Sequence, residues 1–220
     1  MNAFMPYALK PLTPGQAADQ GRAFLDTMAR RRSVRHFSKA NVERSLIELA
    51  IETANQAPSG AHLQPWTFVC VSRMDLKEAI RAAAEEEERK TYEQRMSDEW
   101  REALAPLGTS WEKPHLTEAP WLVICFAQSY GIGPDGRKRK HYYVQESCGL
   151  ACGFLICALH QMGLATLTHT PNPMQFLKDL LHRPDNEKPF ILFPVGYPAD
   201  DCQVPCLERK PLGAISEFLE

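Results

Sequence analysis

Residues 45–72 read SLIELAIETANQAPSGAHLQPWTFVCVS, and this stretch decides the fold class. Its first half places Leu46, Ile47, Ala50, Ile51 and Ala54 on one face of a helix spanning 45–56. Pro58, Ser59 and Gly60 stop that helix, because proline brings no backbone donor and glycine frees the chain for conformations that other residues avoid. From Trp66 to Ser72 the residues become aromatic and β-branched, the composition of a strand. A helix that passes through a polar turn into a strand requires a domain that layers helices on a sheet.

Downstream, Asp75 with Glu78 three positions later predicts an N-terminal capping box for a helix running far past Glu88. Charge dominates from Ala82 to Arg101, with Glu85 to Glu88 in a row, and Pro106, Gly108 and Pro114 interrupt the segment beyond Arg101. Residues 82–114 therefore read as a mobile helical lid. Trp121 to Gln128 reads as a second strand, Tyr130 to Arg139 as a polar turn, and Val144 to Met162 as a buried helix closed by Gly163. A third strand is expected over Phe190 to Val195. Two or three layers are both compatible with this order, and strand order is not fixed by it. Residues 1–29 read as an arm, and residues 200–220 as an extension with too little apolar content for a core of its own.

Length and composition add bounds. A chain of 220 residues with 44% hydrophobic and 24% charged residues suits one globular domain over 1–220. The net charge of −2 gives no global attraction to nucleic acid or anionic membrane, so neither is expected as a partner and charge must be read locally. No apolar run approaches a membrane span, and MNAFMPYALKPLTPG lacks the pattern of a secretory signal. The 7 cysteines form no Cys-x-x-Cys pair, and Cys148 with Cys152 has no further ligand at metal spacing. A reducing, cytoplasmic setting without a metal site is the expectation.

Three segments carry chemistry. Arg30, Arg31, Arg32, Ser33 and Arg35 gather guanidinium groups and a hydroxyl at a density suited to a phosphate monoester, although a solvated basic turn or a nucleic-acid contact has the same composition. The turn Ala57 to His62 frees the backbone to approach a flat ligand. Thr168-His169-Thr170-Pro171 and the pair Arg209-Lys210 add polar groups that would enclose a phosphorylated aromatic cofactor. On a helix, Glu88 and Tyr92 project from one face; with Lys113 they offer both signs a zwitterion needs, while a solvated acidic run and a surface lysine remain the alternative.

In this order the residues resemble the nitroreductase superfamily. The likeness spans about residues 30 to 212 and is closer still to its iodotyrosine deiodinase branch, through Arg31-Arg32-Ser33-Val34-Arg35, Ala57 to His62, Pro65 to Val69, Glu85 to Glu88, Tyr92, Arg95-Met96, Lys113, His141-Tyr142-Tyr143, Pro194 to Pro198 and Arg209 to Leu212. The resemblance implies an α+β nitroreductase-like fold with a central, mostly antiparallel sheet flanked by helices. It implies a homodimer, with residues 200–220 packing on the partner subunit. It also implies FMN as cofactor and NAD(P)H, directly or through a reductase partner, as electron source.

Arg31, Arg32, Ser33, Val34 and Arg35 match the segment that holds the FMN phosphate and ribityl chain, with Arg209 completing it. Pro58, Ser59 and Gly60 match the lining of the flavin, and Thr168, His169 and Thr170 the turn beside its ring, Thr170 being the catalytic hydroxyl next to N5. Ala61 matches the position whose backbone meets a substrate phenolate; Glu88, Tyr92 and Lys113 match the grip on its amino-acid end. The implied reaction is reductive dehalogenation of halotyrosines, with a broad nitro or quinone reductase and a non-catalytic flavin-binding module as the other readings. The turn departs from the branch, reading Thr-His-Thr-Pro-Asn-Pro where Thr-Thr-Thr-Pro-Leu-Asn is expected.

Overall fold

A computed structural model describes residues 4–220, divided into a short N-terminal unit ending at Arg31 and a larger unit over Arg32–Glu220. The N-terminal unit is mostly one helix, α1 (Pro14–Ala29). Thr13 caps it: its hydroxyl accepts from Gln16 N at 3.3 Å while the Gln16 side chain accepts from Thr13 N at 3.1 Å, and Pro14 takes the first turn, where its missing donor costs nothing. The expected arm is thus helical, and none of the residues of α1 is buried.

The larger unit runs α2 (Arg44–Ala54), β1 (Trp66–Val71), α3 (Met74–Lys90), a π-helical turn at Thr91–Arg95, α4 (Asp98–Leu104), α5 (His115–Glu118), β2 (Trp121–Gln128), β3 (Tyr130–Ile132), β4 (Lys138–Lys140), α6 (Val144–Gln161), β5 (Ala165–Thr166), α7 (Gln175–Leu180) and β6 (Glu187–Gly196). The main sheet has the order β1-β2-β6-β5, every neighbouring pair antiparallel, with Phe68 opposite Cys125 and Ile124 opposite Leu192.

Strand alternation decides the layers. On β2, Val123 and Cys125 face a core built with Ile47, Ala50 and Ala54 of α2 and Cys148, Ala151, Cys152 and Leu155 of α6. Leu122, Ile124 and Phe126 face the other way, into a core with Ile80 and Ala84 of α3 and Leu177 of α7. The sheet is therefore buried on both sides, which explains why β2 reads as a continuous apolar run and makes the arrangement three-layered. The small residues of α6 let α2 approach closely, the packing role expected of Cys148 and Cys152.

Several expectations need correction. Arg73 occupies the N-cap position of α3 without a side-chain capping bond, and Asp75, inside the first turn, pairs with Arg73 instead of forming a capping box with Glu78. That helix ends at Lys90 and passes into the π-helical turn, so it stops soon after Glu88. Residues 130–140 form a hairpin, β3 with β4, where a turn alone was expected. The two-residue β5 and six-residue α7 are too short for periodicity to mark. Residues 82–84 are part of the body, since Ala84 is fully buried beneath the sheet. The acidic run beyond it is paired as well as solvated: Glu85 with Arg81 at 2.7 Å, and Glu87 with Lys90 at 2.9 Å and Arg95 at 3.3 Å.

The close α2–α6 contact yields a test. Ala54→Leu overfills it and should destabilise the domain by about 1–3 kcal/mol, read as a lower urea midpoint with an unchanged slope.

Candidate active site

The turn between α2 and β1 is held in an unusual backbone shape. Ala61, His62 and Gln64 have φ of 49°, 56° and 47°, and Tyr143, which precedes α6 and lies against the turn, has φ of 51°. Among the described residues, the remaining non-glycine position with positive φ is His182. Left-handed non-glycine residues cost about 1–3 kcal/mol each and persist where surroundings over-determine them, typically at functional sites. Here the Ser59 hydroxyl accepts from Gln64 N at 3.0 Å, and the Ser147 hydroxyl accepts from Gly60 N at 3.3 Å while donating to Tyr143 O at 2.6 Å. A Cβ on Gly60 would lie 2.8 Å from Tyr143 Cδ2 and 3.1 Å from Tyr142 O, so glycine is set by the approach of a second chain segment. Pro58 and Ala61 remain exposed, and Ser59 is half-buried.

The basic segment joins the sheet edge. Val34 N donates to Thr166 O at 3.2 Å, and Ser33 forms a parallel bridge with Thr166. This pairing turns the Val34 side chain into a core with Phe37, Ala119 and Leu167, leaving Ser33 exposed and Arg35 half-buried. The Val34 side chain packs inward and its N–H is taken, so its part in the expected binding segment is left to its carbonyl oxygen. The Arg32 guanidinium donates to Pro205 O, which brings the C-terminal tail to this segment four residues before the exposed Arg209. Arg31 closes the N-terminal unit, its N–H donating to Met28 O at 3.1 Å.

The second turn alternates similarly. His169 exchanges backbone bonds with Leu192, at 2.8 and 3.1 Å, so its imidazole points inward and is buried while Thr168 and Thr170 are exposed on either side. The imidazole of His169 thus belongs to the interior, which leaves only its backbone to take part in the role expected of it. The Asn172–Pro173 peptide in the same loop is cis.

The three lid residues do come together. Lys113 is 4% exposed, with Nζ 3.3 Å from Glu88 Oε2 and 5.7 Å from the centre of the Tyr92 ring. Nζ also donates to Ser110 O, the Tyr92 hydroxyl donates to Thr109 O at 3.3 Å, and Lys113 N donates to Glu85 Oε1 at 2.7 Å. Burial lowers the Lys113 pKa against the pull of Glu88, and burial raises that of Tyr92. The charge of Arg35 bears on Tyr92, Lys113, His115 and His169 alike, so the basic segment, the lid cluster and the second turn border one region.

Comparison with known proteins is decisive at this point. The Nitroreductase family model matches residues 28–197. The iodotyrosine deiodinase of Haliscomenobacter hydrossis is 52% identical over 213 residues, 97% of this chain and 96% of that one. Human iodotyrosine deiodinase 1 is 42% identical over 212 residues, 96% of this chain and 73% of that one. This chain belongs to the nitroreductase family, in its iodotyrosine deiodinase branch. A crystal structure of oxidized iodotyrosine deiodinase bound to FMN and 3-iodo-L-tyrosine superposes with a TM-score of 0.77 at 30% identity, covering 89% of this chain and all (100%) of that one. A nitroreductase with bound FMN from Bacteroides fragilis, 21% identical with a TM-score of 0.65 over 90% of this chain and 98% of that one, shares the fold.

Several residues of this family member escape a reading of motifs. Ser147 braces the Gly60 turn from the first turn of α6, and nothing in its spacing signals it; Tyr143 belongs to a motif of the branch, but its place against Gly60 does not follow from that motif. His115 is buried against His169. Burial, with Lys113, Arg35, Arg81 and His36 nearby, pushes His115 down from 6.5 to about 3, and burial drives His169 well below 6.5. Both rings are therefore neutral in the fold. Above pH 6.5 the pair adds no pH dependence. Below it the unfolded chain takes up protons that the folded chain refuses, so stability falls with pH by about 1.4 kcal/mol per unit for each ring. Urea midpoints measured from pH 7.5 to 5 should decline over this range, and His115→Phe should remove roughly half of the slope that this pair contributes.

Proposed function

We propose that this protein is an FMN-dependent oxidoreductase that removes halogen reductively from halotyrosines, converting iodotyrosine to tyrosine and iodide. The observation that carries the proposal is the Glu88–Tyr92–Lys113 cluster, in which a carboxylate and an ammonium are 3.3 Å apart beside a phenol. An amino acid carries both complementary charges. Its ammonium would replace Lys113 as the partner of Glu88 and Tyr92, and its carboxylate would replace Glu88 as the partner of Lys113, with charge-assisted hydrogen bonds strengthened by burial. A nitroaromatic or quinone offers neither charge, which weighs against the broad reductase.

The neighbouring residues fit a phosphorylated flavin. Gly60 lets the turn pack closely on Tyr142 and Tyr143 while the neighbouring Pro58 and Ala61 stay exposed, and Thr168 and Thr170 are exposed on the second turn. Arg32, Ser33 and Arg35, with Arg209 and, on the resemblance alone, Arg31, would hold the phosphate and ribityl chain; guanidinium forks suit a phosphate monoester. Pro58, Ser59 and Gly60 would line the ring, and Thr170 would donate a hydrogen bond at its N5 edge as the catalytic residue. Bound there, FMN supplies the electrons that reduce the carbon–halogen bond. Ala61 would offer its backbone to the phenolate, holding the aromatic ring in orientation. His169 and Val34 act from behind, by setting the turn and the strand edge.

The same reading extends to assembly and supply. Leu150 and Phe154 on α6, and Leu212, Ile215, Phe218 and Leu219 in the tail, are exposed apolar residues that a second copy of the chain would cover, which supports a homodimer with residues 200–220 packed on the partner subunit. NAD(P)H, directly or through a reductase partner, would reduce the flavin. A cytoplasmic setting is supported by 7 free cysteines. Among the described residues no helix is long and apolar enough to cross a membrane.

Purified protein should be yellow and release FMN on denaturation, and Arg32→Ala should weaken FMN by about ten- to a hundredfold while riboflavin binding barely changes. Equal affinity of the unaltered protein for FMN and riboflavin would refute the phosphate site. Quenching of FMN fluorescence should show iodotyrosine binding far more tightly than iodophenol, and Glu88→Gln should weaken iodotyrosine by about tenfold while leaving iodophenol unaffected. A protein that binds both ligands alike does not read the zwitterion.

A further inference from the structure

Residues 137–140 read Arg-Lys-Arg-Lys, and the proposed function leaves all four bases unused. They lie on β4 and just before it, and every one of them is exposed. Asp135, the one carboxylate of the hairpin, pairs with Arg139 at 3.6 Å. Among the described residues no carboxylate pairs with the side chain of Arg137, Lys138 or Lys140. Like charges crowded onto a two-stranded hairpin repel one another, so the stability of the fold does not account for them.

Strand alternation sorts the side chains. Tyr130 is opposite Lys140 and Ile132 opposite Lys138, so these four share one side of the hairpin, where Lys138 Nζ lies 4.5 Å from the centre of the Tyr130 ring. The other side carries Gly131, on which a Cβ would lie 2.9 Å from His141 Nε2, so that side rests on the buried His141. The first side is thus turned outward, and Ile132 is 62% exposed. The root of the hairpin is fixed: the Asn186 side chain donates to Tyr130 O at 2.7 Å, Ser129 N donates to Asn186 O at 2.8 Å, and His141 N donates to Ser129 O at 3.1 Å. From Lys140 the chain passes through the exposed Tyr142 and Tyr143, and Tyr143 packs against Gly60. Three residues at no more than about 3.6 Å each put Lys140 within about 11 Å of Tyr143, which touches the turn that would line the flavin.

We propose that the β3–β4 hairpin, with Tyr142 and Tyr143 beside it, is the landing surface for an electron-carrier protein with an acidic face, which delivers electrons to the flavin at the Gly60 turn. This rests on the flavin site of the proposed function. Each turnover consumes two electrons and one proton: the carbon–halogen bond breaks, halide leaves with the bonding pair, and a carbon–hydrogen bond forms. A one-electron carrier therefore docks twice, each copy being oxidised by one electron, while solvent supplies the proton. Bases interleaved with exposed aromatic and apolar side chains have the make-up of a protein interface. Nucleic acid and anionic lipid call for positive charge spread more widely than one hairpin, and the whole chain carries a net charge of −2.

Anaerobic stopped-flow reduction of the holoprotein tests it, with a reduced plant-type two-iron ferredoxin as the acidic donor and photoreduced deazariboflavin as a small uncharged one. The rate constant with ferredoxin should fall by about tenfold or more from low to high salt, as electrostatic steering requires. The triple change Arg137→Gln, Lys138→Gln and Lys140→Gln should lower it by about tenfold at low salt and flatten the salt dependence, while the rate with deazariboflavin changes by less than about twofold. Removing three charges at the exposed Lys10, Arg44 and Arg73 instead should leave the ferredoxin rate within about twofold, which separates a docking surface from net charge. Calorimetric titration of oxidised ferredoxin into the oxidised holoprotein at low salt should show binding that the hairpin variant loses. Equal ferredoxin rates in the unaltered and hairpin-variant proteins overturn the proposal, as does a control variant slowed to the same degree. A hairpin variant that loses binding to phosphatidylserine vesicles or duplex DNA while keeping its ferredoxin rate assigns the surface to those partners and also overturns it. A holoprotein that deazariboflavin reduces but that releases no iodide from iodotyrosine overturns the functional reading beneath, whatever the hairpin does.

Discussion

The pairing of β2 with β6 is the constraint on which the structure depends. These two strands form the centre of the sheet, each with a neighbour on both edges and a core on both faces. Antiparallel pairing sends successive side chains alternately towards the α2–α6 layer and the α3–α7 layer, so the register that places Ile124 opposite Leu192 also fixes which residues meet which helices. A slip of one residue would send every one of these side chains to the wrong layer.

The site hangs from this sheet. The turn carrying Thr168 and Thr170 is held where His169 bridges Leu192 on β6, and the basic segment is held where Val34 and Ser33 join Thr166, which itself pairs with Val195. The Gly60 turn leads directly into β1, and its left-handed backbone is braced by the first turn of α6. Three loops distant in sequence thereby acquire fixed relative positions from one rigid element. Groups on such a scaffold are pre-organised, which is what a flavin and an aromatic substrate stacked on it require.

The lid obeys different physics. Its side of the site is held mainly by ion pairs and hydrogen bonds, among them Glu85 with Arg81 and Lys113 with Glu88, and few of its residues are buried. Contacts of this kind depend on a few polar partners each, whereas the core beneath the sheet is held by close apolar packing on every side. The boundary between the regimes falls near Ala84, the last fully buried residue of α3 before the acidic run. The Glu88–Lys113 pair thus lies outside the packed body of the domain.

Much of this was legible in the chain itself. Periodicity marked α2, α6, β1, β2 and β6 because each is long enough for its pattern to repeat, and the motif order of Arg31 to Arg35, Ala57 to His62 and Thr168 to Thr170 carried the family. Short elements such as β5 and α7, and the hairpin at 130–140, left no pattern, since too few residues repeat within them. Sequence proximity also grouped Val34 with Arg35 and His169 with Thr170, where strand pairing turns each pair to opposite sides. Which side a residue faces is set by the partner strand, not by its own neighbours. The meeting of Glu88 with Lys113 was foreseen through the family, but the burial of His115 against His169, and the bracing of Gly60 by Tyr143 and Ser147, depend on contacts between segments far apart in the chain. Those contacts exist only once the sheet has brought the segments together, and that is why tertiary structure alone decided them.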